Sequence, residues 1–209
     1  MKKRKEIPKE TLKRLPLYLR CLNKLILKGQ TTLSSKDLAT ILPMNSAKIR
    51  KDLSYFGNFG KRGVGYELKS LIVNIREILN LDQTWRLALV GVGDIGSALL
   101  SYPGFNQGCF QIELAFDGDP NLIGRRVAGK EIRDSSDITP LVEEFGIQIG
   151  IVAVPAEIAR DIADRLVSGG VTGIINFAPV VLDLKEEINC AQIDIETELS
   201  KLTYYVDEA

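Results

Sequence analysis

The residues best placed to do chemistry are glycines. Gly91-Val92-Gly93-Asp94-Ile95-Gly96 follows the apolar run Trp85–Val90, and a helical pattern begins at about Ile95. In such a turn Gly91 permits the tight bend, Gly93 lets the backbone approach a pyrophosphate, and Gly96 lets the helix pack on the strand. The first N–H groups of the helix lack intrahelical partners and lie at the positive end of its dipole, so they attract an anion. The second half of this fingerprint is a carboxylate about 20 residues further on, at the end of the next strand. Asp117, in Phe116-Asp117-Gly118-Asp119-Pro120, stands 21 residues after Gly96. A carboxylate there accepts hydrogen bonds from both adenosine ribose hydroxyls and repels a 2′-phosphate, which favours NAD(H) over NADP(H). Asp119 lies beside it. Two further loops, Val154-Pro155-Ala156 and Asn176-Phe177-Ala178-Pro179, should lie at the same carboxyl edge of a parallel sheet, where ligands bind. Tyr102 follows the first helix and is placed to approach the ligand or a neighbouring subunit.

Composition argues against ordinary hydride-transfer catalysis, though Lys or Tyr could substitute for histidine. The chain has no histidine, which removes the commonest general acid–base, the commonest metal ligand and any His-based triad. Cys21, Cys109 and Cys190 are far apart, form no C-x-x-C pair and have no zinc spacing. No metal and no catalytic residue is expected.

These groups need a scaffold, and strand–helix alternation supplies one. Strands are expected at Trp85–Val90, Gln111–Phe116, Ile149–Val154 and Gly173–Phe177. Helices are expected at Ile95–Ser101, Pro140–Phe145, Ala156–Val167 and Ile195–Tyr205. Apolar runs such as Ile149-Gly150-Ile151-Val152-Ala153-Val154 suit a sheet buried on both faces, and the alternation predicts a doubly wound α/β fold.

The first 80 residues read differently. They carry 18 Lys+Arg against 6 Asp+Glu, a net of +12, and residues 81–209 balance them at −12. A basic segment of this size is the footprint of phosphate-backbone binding. Leu15, Leu19, Leu22 and Ile26 form a helical stripe; Pro16 either starts the helix or kinks a longer one that began near Pro8. Ser34-Ser35-Lys36-Asp37 is a capping signal for a short helix ending before Pro43. Asn45 or Ser46 then caps a helix from Ala47 to about Phe56. Two short helices joined by a brief turn describe a helix-turn-helix. Ile49 and Leu53 should face the core, leaving Ser46, Lys48, Arg50, Lys51 and Ser54 free to meet DNA in the major groove. The glycine-rich stretch Gly57–Tyr66 reads as a β-hairpin wing with Lys61 and Arg62 at its tip, suited to phosphate or minor-groove contact. A helix from Leu68 to Leu79 closes the domain. No run is long and apolar enough for a membrane span, which needs about 20 residues, and no signal peptide follows the basic N-terminus; a cytoplasmic protein is expected.

Read together, these motifs carry a family resemblance. Arg50-Lys51-Asp52-Leu53-Ser54-Tyr55-Phe56-Gly57 followed by Arg62-Gly63-Val64-Gly65-Tyr66 resembles the recognition helix and wing of the redox-sensing transcriptional repressor (Rex) family. The resemblance continues through Gly91–Gly96, Tyr102-Pro103-Gly104-Phe105, Phe116-Asp117, Asp119-Pro120 and Asn176-Phe177-Ala178-Pro179-Val180. It implies a homodimer with a winged-helix DNA-binding domain over 1–80, a Rossmann NAD(H)-binding domain over 85–190, and a C-terminal helix within 191–209 exchanged between subunits. Such proteins repress transcription at palindromic operator DNA, sense the NADH/NAD+ ratio and leave the operator when NADH binds. The resemblance adds Tyr55 to the DNA-contacting set. It also places Arg20, Asp194 and Tyr102 near the nicotinamide as a switch. The family often has an aromatic residue at position 195, where this chain has Ile195. An ion pair between Asp194 and Arg20 that competes with nicotinamide placement would move the recognition helices apart or together. Because half-sites lie roughly 34–36 Å apart, a modest rotation would end two-headed binding. Two other readings stay open: a regulator that senses CoA or another nucleotide on a similar core, and an NAD-dependent oxidoreductase, which the missing histidines and the absence of a substrate domain disfavour.

Overall fold

A computed structural model describes residues 7–55, 60–61, 65–105 and 108–206, with Gly60 and Lys61 described through their backbone. The chain divides between Gln83 and Thr84 into two units. In the first, α1 (Lys9–Leu27) runs continuously through Pro16. Proline cannot donate a backbone hydrogen bond there, but Pro16 lies on the exposed face, where water reaches the carbonyl left unpaired. The opposite stripe, Leu15, Tyr18, Leu19 and Leu22, is buried. Thr32–Leu33 forms β1. A reciprocal capping box starts α2 (Ser35–Ile41): the Ser34 hydroxyl accepts from the Asp37 N–H, and the Asp37 carboxylate accepts from the Ser34 N–H. Of the two caps expected for α3 (Ser46–Ser54), Asn45 serves, its Oδ1 accepting from the Lys48 N–H at 2.8 Å.

After α3 come β2 (Gly60–Lys61) and β3 (Gly65–Glu67), an antiparallel pair that β1 extends to a small sheet in the order β1-β3-β2. Only glycine fits at 65: its φ is +90°, and a Cβ there would lie 2.5 Å from the Leu33 carbonyl oxygen. Then α4 (Leu68–Ile78) closes the unit through Leu68, Leu71 and Ile75, buried with Leu33, Leu38, Ile49 and Leu53. A helix-turn-helix followed by a hairpin is a winged helix. Residues 56–59 and 62–64, with the expected wing-tip Arg62, lie outside the described residues.

The second unit begins with β4 (Trp85–Val90), α5 (Asp94–Ser101) and β5 (Phe110–Asp117). Next are β6 (Arg126–Val127), β7 (Lys130–Asp134), α6 (Ile138–Glu144), β8 (Ile149–Val152) and α7 (Ala156–Ser168). It ends with β9 (Gly173–Asn176), β10 (Asn189–Gln192) and α8 (Ile195–Val206). Among the described residues the strands form one seven-stranded sheet, β10-β9-β8-β4-β5-β7-β6, parallel except for the β6–β7 pair. Without β6 this is the strand order of doubly wound dinucleotide-binding sheets. Alternate residues of each central strand face opposite cores. Ala88, Val90, Phe116 and Val152 pack with α6 and α7, while Leu87, Leu89, Ile112 and Ile151 pack with Leu100 of α5. That is why these strands are apolar along their whole length. The sheet runs to Gln192, past the expected domain end at 190, because β10 pairs with β9 from Asn189 opposite Gly173 to Gln192 opposite Asn176. The chain reverses its direction of sheet growth between β4 and β8, so their carboxyl ends open a crevice. Among the described residues, no helix is long and apolar enough to cross a membrane.

Candidate functional site

That crevice holds a cleft of about 560 Å³ lined by Gly91, Gly93, Asp117, Asp119, Val154 and Pro155, among others. Its volume falls in the range of ligand pockets, roughly 300–1,000 Å³. Each glycine has its own physical reason. Gly91 has φ +94°, and a Cβ on it would lie 2.3 Å from the Ala153 carbonyl oxygen. A Cβ on Gly96 would lie 1.9 Å from the Gly91 carbonyl oxygen, so α5 packs on the turn with no room for a methyl group. A Cβ on Gly93 would meet nothing within 4 Å, so the space above it is open to a ligand. Gly93 is the N-cap of α5 and offers no side chain to its first turn. The helix therefore presents N–H groups to whatever enters the cleft.

Asp117 ends β5 and accepts from two backbone groups: the Val92 N–H to Oδ2 at 2.6 Å and the Asp119 N–H to Oδ1 at 2.8 Å. A carboxylate offers about four acceptor positions, so two remain for ribose hydroxyls. Val92 reaches the site through its backbone, since its side chain is buried in the α5-side core. Asp94 and Ile95 are exposed on the first turn of α5. Asp119 is exposed, and its Oδ1 accepts from the N–H and the side-chain amide of Asn121, which shapes the turn after β5. The donor set fits an adenine dinucleotide: uncapped N–H groups for the pyrophosphate, a carboxylate for the ribose and apolar walls from Val154 and Pro155.

Other expected contacts lie outside the cleft lining. The Asn176 side chain is fully buried and engaged on all sides. Its Nδ2 donates to the Val180 carbonyl and to Gln192 Oε1, each at 2.8 Å, and its Oδ1 accepts from the Ala178 N–H. Gln192 in turn donates to the Ala178 carbonyl. Asn176 thus shapes the loop after β9 instead of presenting an amide to the cleft. Ala178 is buried, Phe177 half-buried and Pro179 exposed. Tyr102 is exposed, its ring edge-on to Phe105 at 5.7 Å. Asp194 accepts at Oδ1 from the Thr197 N–H (3.1 Å) and at Oδ2 from the Thr197 hydroxyl (2.6 Å), in the manner of a helix cap. Those bonds hold its carboxyl below the usual range. Arg20 is exposed on α1, beside a groove that includes Leu17 and Lys24.

In the first unit α3 buries Ile49, Asp52 and Leu53 and exposes Lys48, Arg50, Lys51 and Ser54. Ser46 and Tyr55 are half-buried. Arg50 is steadied by a bond from Nη1 to the Ser35 hydroxyl at 3.2 Å, and the Ser54 hydroxyl bonds back to the Lys51 carbonyl. Lys61 lies in the β2 backbone. Sequence reasoning missed Asp52, whose carboxylate accepts from Thr11, Arg14 and Tyr18 of α1. Burial alone would raise its pKa; these donors outweigh burial and hold it below the usual value. Burial and the same carboxylate push the Tyr18 phenol up. A signal did exist: Thr11 and Tyr18 fall on the buried stripe of α1, where a purely structural helix would carry apolar residues.

Comparisons with known proteins agree with this architecture. Residues 6–54 match the family described as putative DNA-binding protein N-terminus, and residues 82–180 match the CoA binding domain. The chain is 45% identical over 202 residues to the redox-sensing transcriptional repressor Rex 1 of Thermotoga maritima, covering 96% of each. The crystal structure of RSP in complex with β-NAD+ and operator DNA is similar over 97% of this chain and 94% of that one, with a TM-score of 0.93 at 30% identity. RSP in complex with β-NADH gives a TM-score of 0.86 at 30% identity over 97% of this chain and 95% of that one.

Proposed function

The chain belongs to the redox-sensing transcriptional repressor (Rex) family, and from that premise we propose that it represses transcription at palindromic operator DNA as a homodimer and leaves the operator when NADH binds. One observation carries the reading: the cleft between β4 and β8, where an uncapped glycine turn faces Asp117, belongs to a chain whose other unit exposes a basic helix. A phosphate-and-ribose site coupled to a DNA-binding unit is a sensor's design. RSP, a Rex-family repressor, is described with NAD+ and operator DNA and with NADH, so both ligands are known in a relative.

DNA contact falls to Ser46, Lys48, Arg50, Lys51, Ser54 and Tyr55, with Lys61 and Arg62 from the wing. Cofactor contact falls to Gly91–Gly96, Asp117 and Asp119, with Val154 and Pro155 as the apolar wall. The nicotinamide end is assigned to Tyr102, Phe177, Ala178 and Pro179, with Arg20 and Asp194 as the charged switch. Dimerisation draws support from α8, which leaves Ile195, Leu199, Leu202 and Val206 exposed at helical spacing. A bare apolar face of this kind marks an interface. The domains in this reading are 1–80, a nucleotide-binding domain from 85 that the β9–β10 pairing carries to 192, and the exchanged helix that follows it. NAD(H) is the signal, no catalytic residue is assigned, and a cytoplasmic site of action follows from the DNA partner.

The match of residues 82–180 to a CoA-binding family favours a second reading, a CoA-responsive regulator on the same core. One experiment separates them. Full-length protein is bound to a palindromic duplex selected from a random pool, then titrated with NADH, NAD+, NADPH and CoA while fluorescence anisotropy is followed. Release by NADH alone is expected. Release by CoA in place of NADH selects the second reading, and no DNA binding at low salt rejects both.

A further inference from the structure

We infer that Asp52 is a positioning residue for DNA recognition: by anchoring to Thr11, Arg14 and Tyr18 it fixes the pose of α3 on α1 and keeps the exposed face of α3 free of negative charge. The inference rests on the reading of α3 as the helix that meets DNA.

With nine residues, α3 is too short to hold itself in water, where isolated helices below about 12–15 residues are marginal. Its pose must come from what it packs against. Ile49 and Leu53 are fully buried, but apolar contacts have no preferred direction and tolerate a roll or slide of the helix. Asp52 supplies the direction. Its Oδ1 accepts from Thr11 Oγ1 at 3.0 Å and Arg14 Nη2 at 2.7 Å, and its Oδ2 accepts from Arg14 Nε at 2.6 Å and Tyr18 Oη at 2.6 Å. Every acceptor position is filled. The Arg14 fork is bidentate, which fixes angles as well as distance. All three partners lie on one face of α1, at positions 11, 14 and 18.

The chemistry argues for orientation over bulk stability. A buried ion pair is a weak stabiliser, because apolar residues of equal volume often do as well or better. The side chains of Arg14 and Asp52 are only 16% and 3% exposed. Asp52 is also the sole acid in α3. Turned outward between Lys48 and Lys51, it would oppose the phosphates those lysines attract; turned inward, it leaves Lys48, Arg50 and Lys51 as a wholly basic surface.

The test compares wild type with Asp52→Asn and Tyr18→Phe. Each full-length protein is bound, over a range of salt, to a palindromic duplex selected by wild type from a random pool and to a scrambled duplex of the same composition. Circular dichroism reports the folded fraction. For Asp52→Asn the ratio of specific to non-specific affinity is expected to fall at least tenfold, with the salt slope on scrambled DNA unchanged. For Tyr18→Phe, which keeps the ion pair and the fold, a fall of about threefold is expected, since one of the four bonds is lost. A purely structural role would lower both affinities in proportion to the unfolded fraction and leave the ratio alone; that outcome in Tyr18→Phe, or no change in either variant, overturns the inference. A wild type that selects no duplex overturns the reading of α3 itself.

Discussion

Replacing Gly96 with alanine is the sharpest test of the cleft. The added methyl carbon would sit 1.9 Å from the Gly91 carbonyl oxygen, whereas ordinary contact begins at 3.4 Å. About 1.5 Å must therefore open between α5 and the turn, in an interior packed as densely as an organic crystal. Neither atom is the end of a flexible side chain, so the backbone must move. Hydrogen bonds of this kind span only about 0.5 Å in donor–acceptor distance, and a shift of the required size withdraws the first-turn N–H groups from a bound pyrophosphate. Two charge-assisted bonds at roughly 1.5–3 kcal/mol each amount to about 3–6 kcal/mol, or a loss of roughly 100- to 10,000-fold in affinity. Overpacking should also lower the stability of the second unit by about 1–3 kcal/mol. Isothermal titration with NADH reads the affinity, thermal unfolding reads the stability, and operator binding without ligand serves as the control. NADH affinity within threefold of wild type in a folded variant would refute the reasoning.

Asp117→Asn keeps the volume but removes the charge and one acceptor; NADH affinity should fall about tenfold, equivalent to about 1.4 kcal/mol. The preference for NADH over NADPH should narrow as well, both read by titration calorimetry. Asn176→Ala strands the Ala178 N–H and the Gln192 side chain, and unpaired buried groups cost about 1–3 kcal/mol each; differential scanning calorimetry should show the second unit melting several degrees lower. The anchor on Asp52 sets a pH window. Its carboxyl is held below its ordinary 3.8, so the stability it contributes is present above that value and lost as pH falls through the lower folded value. Tyr18 is held above its ordinary 10.0, so its contribution is present below pH 10 and lost as pH rises beyond it. Urea midpoints of the first unit should change little from Asp52 or Tyr18 between these limits; Tyr18→Phe should remove the Tyr18 share of the alkaline arm and, by taking one donor from Asp52, shrink the acid arm as well.

The elements most legible in the sequence are those whose burial is one-sided or complete. Strand β4 was placed to the residue, because Leu87, Ala88, Leu89 and Val90 are all buried and little but a two-faced core explains such a run. Strands at or next to the edges of the sheet were invisible for the converse reason. In β7, Lys130, Glu131 and Arg133 surround a single buried Ile132, and all of β10 is exposed; each owes its existence to pairing with a neighbour. The glycine turn was legible because Gly91 and Gly96 answer to backbone geometry that other residues cannot meet. Asn176 shows where residue type fails. An amide at the carboxyl edge of a sheet looks the same whether it binds a ligand or closes a loop, and only its partners Val180, Ala178 and Gln192 decide. Asp52 was hidden because its partners on α1 are 34 to 41 residues away in the chain.

Asp117 raises a question about sensing that the cleft itself answers. Its carboxylate ties the end of β5 to the glycine turn through the Val92 N–H, so the ribose acceptor and the pyrophosphate site form one rigid piece. Everything that piece recognises is common to NADH and NAD+. A ligand shifts an equilibrium only through different affinity for its two states, and equal binding of both redox forms shifts nothing. In the proposed reading the cleft lining would therefore supply affinity and select for the dinucleotide, while discrimination would arise where the two forms differ, at a ring that gains or loses a positive charge. Among the residues assigned to that end, Asp194 is the one that carries negative charge, and Thr197 holds it ionised at the head of α8. With Asp194 placed at the nicotinamide end, as proposed above, a fixed anion at the start of a helix with a bare apolar face would convert one unit of ring charge into movement of α8, and Asp194 rather than the glycine turn would be the place where redox state is read.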